Sequence, residues 1–216
     1  MGIIVKICGV KTAEVARAAQ ECGADLLGFV FAPSKRRIEP ARARVIARDV
    51  KGIGKVGVFV NAPYQEIVDI VQTCRLDYVQ LHGDRDGEFC RALPVPVIRA
   101  FPAVPGLRPA EVDSYEARWA LLDTFVPGQC GGTGQSFDWR GMRQFCRELK
   151  TPVLIAGGLT PENVAEAVGI LQPGGVDVSG GVETEGSKDP AKIDRFIRAV
   201  RGAERGNSVA GKDITG

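Results

Sequence analysis

Histidine occurs once in this chain of 216 residues, as His82. That scarcity argues against a site built from several histidines, such as that of a zinc hydrolase. Cysteine occurs six times, at 8, 22, 74, 90, 130 and 146, with no two in a C-x-x-C pair. No apolar run approaches the ~18 residues of a membrane span. The opening MGIIVKICGV lacks the basic region of a signal peptide. It also lacks the Ser or Thr at position six that a myristoylation signal carries. Charge of one sign is missing as well: 28 basic residues face 26 acidic ones, a net +2. Such a balance gives no electrostatic footprint for nucleic acid. The expectation is a cytoplasmic chain with reduced thiols, without membrane or nucleic-acid partners.

What is present is an alternation. Hydrophobic residues make up 44% and charged residues 25%, an ordinary globular mixture. Eight short apolar runs read as strands: 3–8, 25–31, 55–60, 77–81, 96–101, 119–123, 152–156 and 176–179. Between them one spacing recurs. Val15, Ala18, Ala19 and Cys22 stand at i, i+3, i+4, i+7, as do Ile67, Ile70, Val71 and Cys74. The same spacing begins at Ala43, Met142, Val164 and Ile193. Each is the apolar stripe of a helix lying on a sheet. Segments 86–93 and 109–117 carry a weaker helical pattern. Thr12, Thr160 and Asp189 are N-cap residue types, the last two followed by proline. No G-x-G-x-x-G follows the first strand, which removes support for a dinucleotide-binding open sheet. Unbroken β/α alternation predicts a closed (β/α)8 barrel over residues 1–201. Residues 202–216, poor in large apolar side chains, read as a flexible tail.

Barrels gather their chemistry at the C-terminal ends of the strands. Cysteines 22, 74, 90 and 146 lie on helix stripes and read as small core hydrophobes. Cys8 differs: it ends the first strand, before a glycine. Lys6 shares its parity and should also point inward. Lys6 is either a structural charge, with Asp177 on strand eight as partner, or a Schiff-base or general-acid lysine. Asp123 ends strand six, where a carboxylate is a cap or an acid/base group. Gln80 and His82 end strand four; the histidine is catalytic, a substrate contact or a loop pin. Gly157-Gly158 and Ser179-Gly180-Gly181 follow strands seven and eight, where barrels often hold phosphate on backbone N–H groups; they are either such a site or merely tight βα turns. Gln129 to Gly134, with Cys130 in it, is a third glycine-rich loop, and the basic run Ser34-Lys35-Arg36-Arg37 is either a solvated loop or, on the same face, an anion clamp. Position alone therefore suggests an enzyme acting on a phosphorylated small molecule through a thiol and a carboxylate, without metal or cofactor.

The motifs KICG (6–9), GFVF (28–31), SKRR (34–37), VGVFVN (56–61), QLHG (80–83), LLDT (121–124), GGTGQSFDW (131–139), GGLTPENV (157–164) and VDVSGGVE (176–183) resemble, in order, those of the phosphoribosylanthranilate isomerases. The resemblance spans residues 3–201. It implies a single TIM barrel of the ribulose-phosphate-binding type. It also implies an Amadori rearrangement of N-(5-phosphoribosyl)anthranilate to the 1-deoxyribulose 5-phosphate ketose in tryptophan biosynthesis. Carried over residue by residue, it makes Cys8 the general base and Asp123 the general acid. Arg36 would hold the anthranilate carboxylate. Gln80, His82 and Gly132 would line the substrate, and Gly157, Gly158, Ser179 and Gly180 would bind its phosphate. For those roles the acid must start protonated and the base must become thiolate, helped by Lys6 or Arg36 as cationic neighbours.

Two positions depart from the family pattern. Gly180 stands where a second serine is usual, which predicts a changed KM rather than lost function. Arg37 adds a charge without an obvious partner. The rival readings are another phosphosugar isomerase or epimerase on the same barrel, and a barrel that binds a phosphosugar without turning it over. The small phosphoribosyl substrate is the one expected partner, with the chain a monomer or homodimer.

Overall fold

The computed structural model describes residues 2–124 and 136–210. Eight parallel strands close into a barrel: β1 (Ile4–Cys8), β2 (Leu26–Val30), β3 (Gly54–Val60), β4 (Tyr78–His82), β5 (Val97–Pro102), β6 (Trp119–Asp123), β7 (Val153–Ile155) and β8 (Gly175–Val178). Each strand pairs with the next in sequence, and β8 returns to β1 with Lys6 opposite Asp177. Every strand falls within one or two residues of an apolar run. The runs are continuous rather than alternating because helices cover the outer face and side chains fill the inner one.

The helices are α1 (Ala13–Glu21), α2 (Pro40–Asp49), α3 (Tyr64–Cys74), α4 (Gly87–Ala92), α5 (Pro109–Asp113), α6 (Trp139–Glu148), α7 (Val164–Leu171) and α8 (Pro190–Ala210). Their stripes meet the outward strand residues: Ile67, Ile70, Val168, Ile193 and Phe196 share one core with Val5, Ile7, Phe29 and Val176. The two weakly patterned segments give the two shortest helices, α4 and α5. Thr12 caps α1 as expected, its hydroxyl accepting from the Val15 N–H at 3.3 Å. Asp189 accepts from the N–H groups of Ala191 and Lys192 ahead of α8. Thr160 is not the cap of α7, which begins at Val164 after Asn163. Its hydroxyl instead accepts from the Glu162 N–H in the preceding turn.

Inside the barrel, polarity changes along the axis. Leu26, Val56, Ile98, Leu121 and Leu154 pack together, with Ile4, Tyr78 and Trp119 against them. Towards the C-terminal ends come Lys6, Gln80 and Asp177, all buried. Beyond β8 the chain makes a 3-10 turn (Gly180–Val182) and a small hairpin of β9 (Glu183–Thr184) and β10 (Ser187–Lys188).

The last helix runs past residue 201 to Ala210, and residues 211–216 of the expected tail lie outside the described residues. Polar contacts hold its continuation. Arg201 bridges to Asp25 at 2.9 Å, and the Glu204 carboxylate accepts from the Ile3 N–H. The scarcity of large apolar residues concealed this. Among the described residues, no helix is long and apolar enough to cross a membrane.

Candidate active site

A cavity of about 480 Å³ opens where the strands end. Cys8, Arg36, Gln80, His82, Asp123, Gly157, Gly158, Ser179 and Gly180 all line it. The structure thus brings together every expected site residue that it describes. Gly132, like Cys130, lies outside the described residues. A larger depression of about 740 Å³ lies around Arg118 and Thr151, before β6 and β7, and no expected site residue reaches it.

Cys8 ends β1 against Gly28 of β2. A Cβ at residue 28 would stand 2.9 Å from the Cys8 sulfur and 3.1 Å from the Lys6 ammonium, so glycine makes room for both groups. Lys6 pairs with Asp177 at 2.9 Å, as the inward parity of the two strands implies. Burial opposes the lysine's charge, but Asp177 and then Cys8 outweigh it, and the pKa is raised. Burial also pushes the Cys8 thiol up. Lys6 and Lys188 pull it down without cancelling that effect, while Asp177 adds to it. The expected lowering by cationic neighbours is therefore present but outweighed. The net direction favours thiol over thiolate at Cys8.

Asp123 ends β6, opposite Pro102 of β5. Burial and the neighbouring Asp177 raise its pKa to about 6, against the opposing pull of the Thr124 N–H and Lys6. Residue 157 must be glycine on two counts. Its φ is +80°, and a Cβ would come 2.1 Å from the Thr124 hydroxyl and 2.9 Å from an Asp123 oxygen. The loops after β7 and β8 also touch: a Cβ at Gly181 would fall 1.9 Å from the Leu159 carbonyl oxygen. Two glycine loops in such contact form one backbone cradle of the kind that suits a phosphate.

His82 is neutral, its pKa lowered to about 4 by burial and by the cations Lys6 and Arg99. Gln80 Nε2 lies 2.7 Å from its Nε2, while the buried Gln80 Oε1 has no partner among the described residues. A buried carbonyl without a donor, on a cavity wall, is suited to a ligand hydroxyl or N–H.

Arg36 crosses the mouth with its stem over Gly9, whose φ is +81° and whose added Cβ would meet Arg36 Cδ at 2.7 Å. Glu183 accepts from Arg36 Nε at 2.6 Å and from Nη2 at 2.9 Å. Arg37 finds its partner in Glu39 at 3.3 Å, both exposed, in a surface pair. Asp177, Glu183 and Lys188 belong to this neighbourhood, yet sequence reasoning gave none of them a place in substrate binding. For Glu183 and Lys188 the signal was weak: Gly186 suits its φ of +77°, but Glu185 is not a residue that favours its own φ of +50°. Among the described residues, no cluster of His, Cys, Asp and Glu suits a metal ion.

Residues 5–199 match the family model of N-(5'-phosphoribosyl)anthranilate isomerase. The isomerase of that name from Moorella thermoacetica is 46% identical over 202 residues, covering 93% of this chain and 90% of its own. The crystal structure of the Thermotoga maritima phosphoribosyl anthranilate isomerase superposes with a TM-score of 0.83 at 38% identity, over 93% of this chain and 99% of that one. Another crystal structure of a phosphoribosyl anthranilate isomerase holds reduced 1-(o-carboxyphenylamino)-1-deoxyribulose 5-phosphate. It aligns with a TM-score of 0.80 at 36% identity, over 93% and 99% of the two chains. The family match runs from β1 into α8 and so takes in both strand ends that carry the thiol and the carboxylate: the chain belongs to the N-(5'-phosphoribosyl)anthranilate isomerase family.

Proposed function

We propose that Cys8 and Asp123 carry the proton transfers of this chain, which is an aldose–ketose isomerase of tryptophan biosynthesis. The substrate N-(5'-phosphoribosyl)anthranilate is an aminoaldose, and the product is the 1-(2-carboxyphenylamino)-1-deoxyribulose 5-phosphate ketose. Asp123 gives a proton to the furanose ring oxygen, and the ring opens to an iminium ion. Cys8, as thiolate, takes the proton from C2′, giving an enamine that tautomerises to the ketone. The observation that carries this division of labour is the raised pKa of Asp123, about 6, which keeps a protonated fraction available near neutrality. A substrate phosphate in the glycine cradle adds negative charge nearby and favours the acid form further. The iminium ion that follows ring opening is a cation, and it favours thiolate at Cys8 when the base is needed.

Arg36 holds the anthranilate carboxylate. Gln80 and His82 bind the sugar and the bridging nitrogen. Gly157, Gly158, Ser179 and Gly180 hold the phosphate. The chain works in the cytoplasm as a monomer or homodimer, on a small-molecule phosphoribosyl substrate. Its near-neutral charge balance supports the expectation that it has no nucleic-acid partner.

The test follows product through a coupled indole-glycerol phosphate synthase, because the substrate also hydrolyses by itself. Cys8→Ala and Asp123→Asn are each expected to lose ~10²–10⁴-fold in turnover while keeping the fold. Turnover at the parent rate in either variant would overturn the assignment.

A further inference from the structure

Glu183 and Lys188 face each other in register across the β9–β10 hairpin. Their side chains are 8% and 4% exposed, unusually low for two charged residues in a connecting segment. The Lys188 ammonium donates to Glu183 Oε1 at 2.6 Å and to the Ser179 carbonyl and hydroxyl oxygens at 3.2 Å each. Ser179 in turn donates to the Cys8 carbonyl at 3.0 Å. Glu183 grips Arg36 through Nε and Nη2, and Nη1 is left without a partner among the described residues. The hairpin thus ties the arginine at the cavity mouth to the strand end that carries Cys8. Two cations and one carboxylate leave the cluster at +1, suited to one incoming carboxylate.

We propose that Glu183 is the positioning residue for recognition of the substrate's ortho-carboxylate, holding the Arg36 guanidinium in its receiving orientation with Lys188 as its brace. This rests on the reading of Arg36 given above. Charge alone argues the other way, because a carboxylate beside Arg36 repels an incoming anion. The glutamate is useful only if orientation outweighs that repulsion. A long arginine held in place beforehand loses no rotamer freedom on binding, whereas a loose one does. The pair is bidentate, which fixes the plane of the guanidinium as well as its position. Lys188 offsets the negative charge and supplies the second contact that keeps Glu183 in place.

The two arguments predict opposite signs, which makes the experiment decisive. Dissociation constants are measured by calorimetry for reduced 1-(o-carboxyphenylamino)-1-deoxyribulose 5-phosphate and for the same compound without its carboxylate. The proteins are the parent chain, Glu183→Gln, Lys188→Met and Arg36→Ala. Glu183→Gln is expected to weaken the carboxylated ligand ~10-fold and to leave the other within about twofold. Lys188→Met should show the same selectivity at a smaller amplitude, and it serves alone if Glu183→Gln does not fold. Equal or tighter binding of the carboxylated ligand by these variants would overturn the proposal. So would an equal loss for both ligands, which marks a merely structural role. Arg36→Ala keeps the two readings apart. If it loses no selectivity, the carboxylate is held elsewhere and the reading of Arg36 fails first. If it loses selectivity and Glu183→Gln does not, only the positioning role fails.

Discussion

The Lys6 ammonium lies 2.9 Å from an Asp177 carboxylate oxygen, with the lysine side chain wholly shielded from solvent. The two residues sit opposite each other where β8 closes the barrel onto β1. The pair raises the lysine's pKa against the effect of burial. A protonated amine is no nucleophile, so a Schiff-base lysine has no support here. Borohydride added with substrate is expected to leave Lys6 unmodified, as read by mass spectrometry.

Removing one member of such a pair leaves the other buried and uncompensated. Lys6→Met is expected to destabilise the fold by about 3–5 kcal/mol. Adding Asp177→Asn to that variant should recover part of the loss, because the stranded charge is gone. Urea unfolding at constant m-value measures both. If Lys6→Met unfolds within about 1 kcal/mol of the parent, the pair is not the closed ionic contact the distance implies.

Asp123 gives a prediction in which activity and stability part company. Its carboxyl titrates at about 6 when folded, against about 3.9 for a free aspartate. A raised value means that the folded state prefers the proton. The destabilisation is therefore absent below about pH 4, grows as pH rises towards 6, and is complete above that. Asp123→Asn removes it. The variant should lose turnover yet gain about 1–2 kcal/mol at pH 7, allowing for solvent screening, with the gain vanishing near pH 4. An asparagine variant less stable than the parent at pH 7 would show that hydrogen bonding of the carboxylate outweighs its desolvation.

The barrel was legible because its strands are near-continuous Val, Ile, Leu and Phe runs bounded by turn residues, a pattern that burial on both faces enforces. The Lys6–Asp177 contact was legible too, since two inward-facing residues on the closing strands have few other partners. The end of α8 was not. Its continuation is held by Arg201 on Asp25 and Glu204 on the Ile3 N–H, contacts between ends of the chain that carry no local periodicity. Glu183 and Lys188 were passed over because two charges five residues apart look like a solvated loop. Only the hairpin register turns them inward. The raised thiol of Cys8 was likewise out of reach, because it depends on a contest between enclosure and two lysines that needs three dimensions.

As the chain's lone histidine, His82 makes a clean reporter. Burial, with Lys6 and Arg99, lowers its pKa to about 4. The Gln80 side-chain amide faces its Nε2 at 2.7 Å. Nitrogen-15 spectra should show a neutral imidazole from pH 8 down to about 5. The sign for stability is opposite to that of Asp123. The unfolded histidine takes up a proton near 6.5 and the folded one only near 4, so acidification through that window destabilises the fold. Titration of the ring near 6.5 in the folded protein would mean that His82 is open to solvent and free of the Gln80 contact.

Neighbouring glycines after β8 should respond in opposite ways. Among the described residues a Cβ at Gly180 meets only Arg36 Nη2, at 3.2 Å, whereas one at Gly181 would lie 1.9 Å from the Leu159 carbonyl oxygen. Gly180→Ser, which restores the serine usual in the family motif, should fold like the parent. By adding a hydroxyl to the phosphate cradle it should lower KM by about two- to fivefold with kcat unchanged. Gly181→Ala must instead push the loops after β7 and β8 apart. It is expected to cost about 1–3 kcal/mol in stability and to raise KM. Steady-state kinetics and thermal unfolding of the two variants side by side check the contrast. A Gly181→Ala protein with the parent's KM would mean that the two loops do not act as one cradle. A Gly180→Ser protein with an unchanged KM would mean that backbone N–H groups alone hold the phosphate.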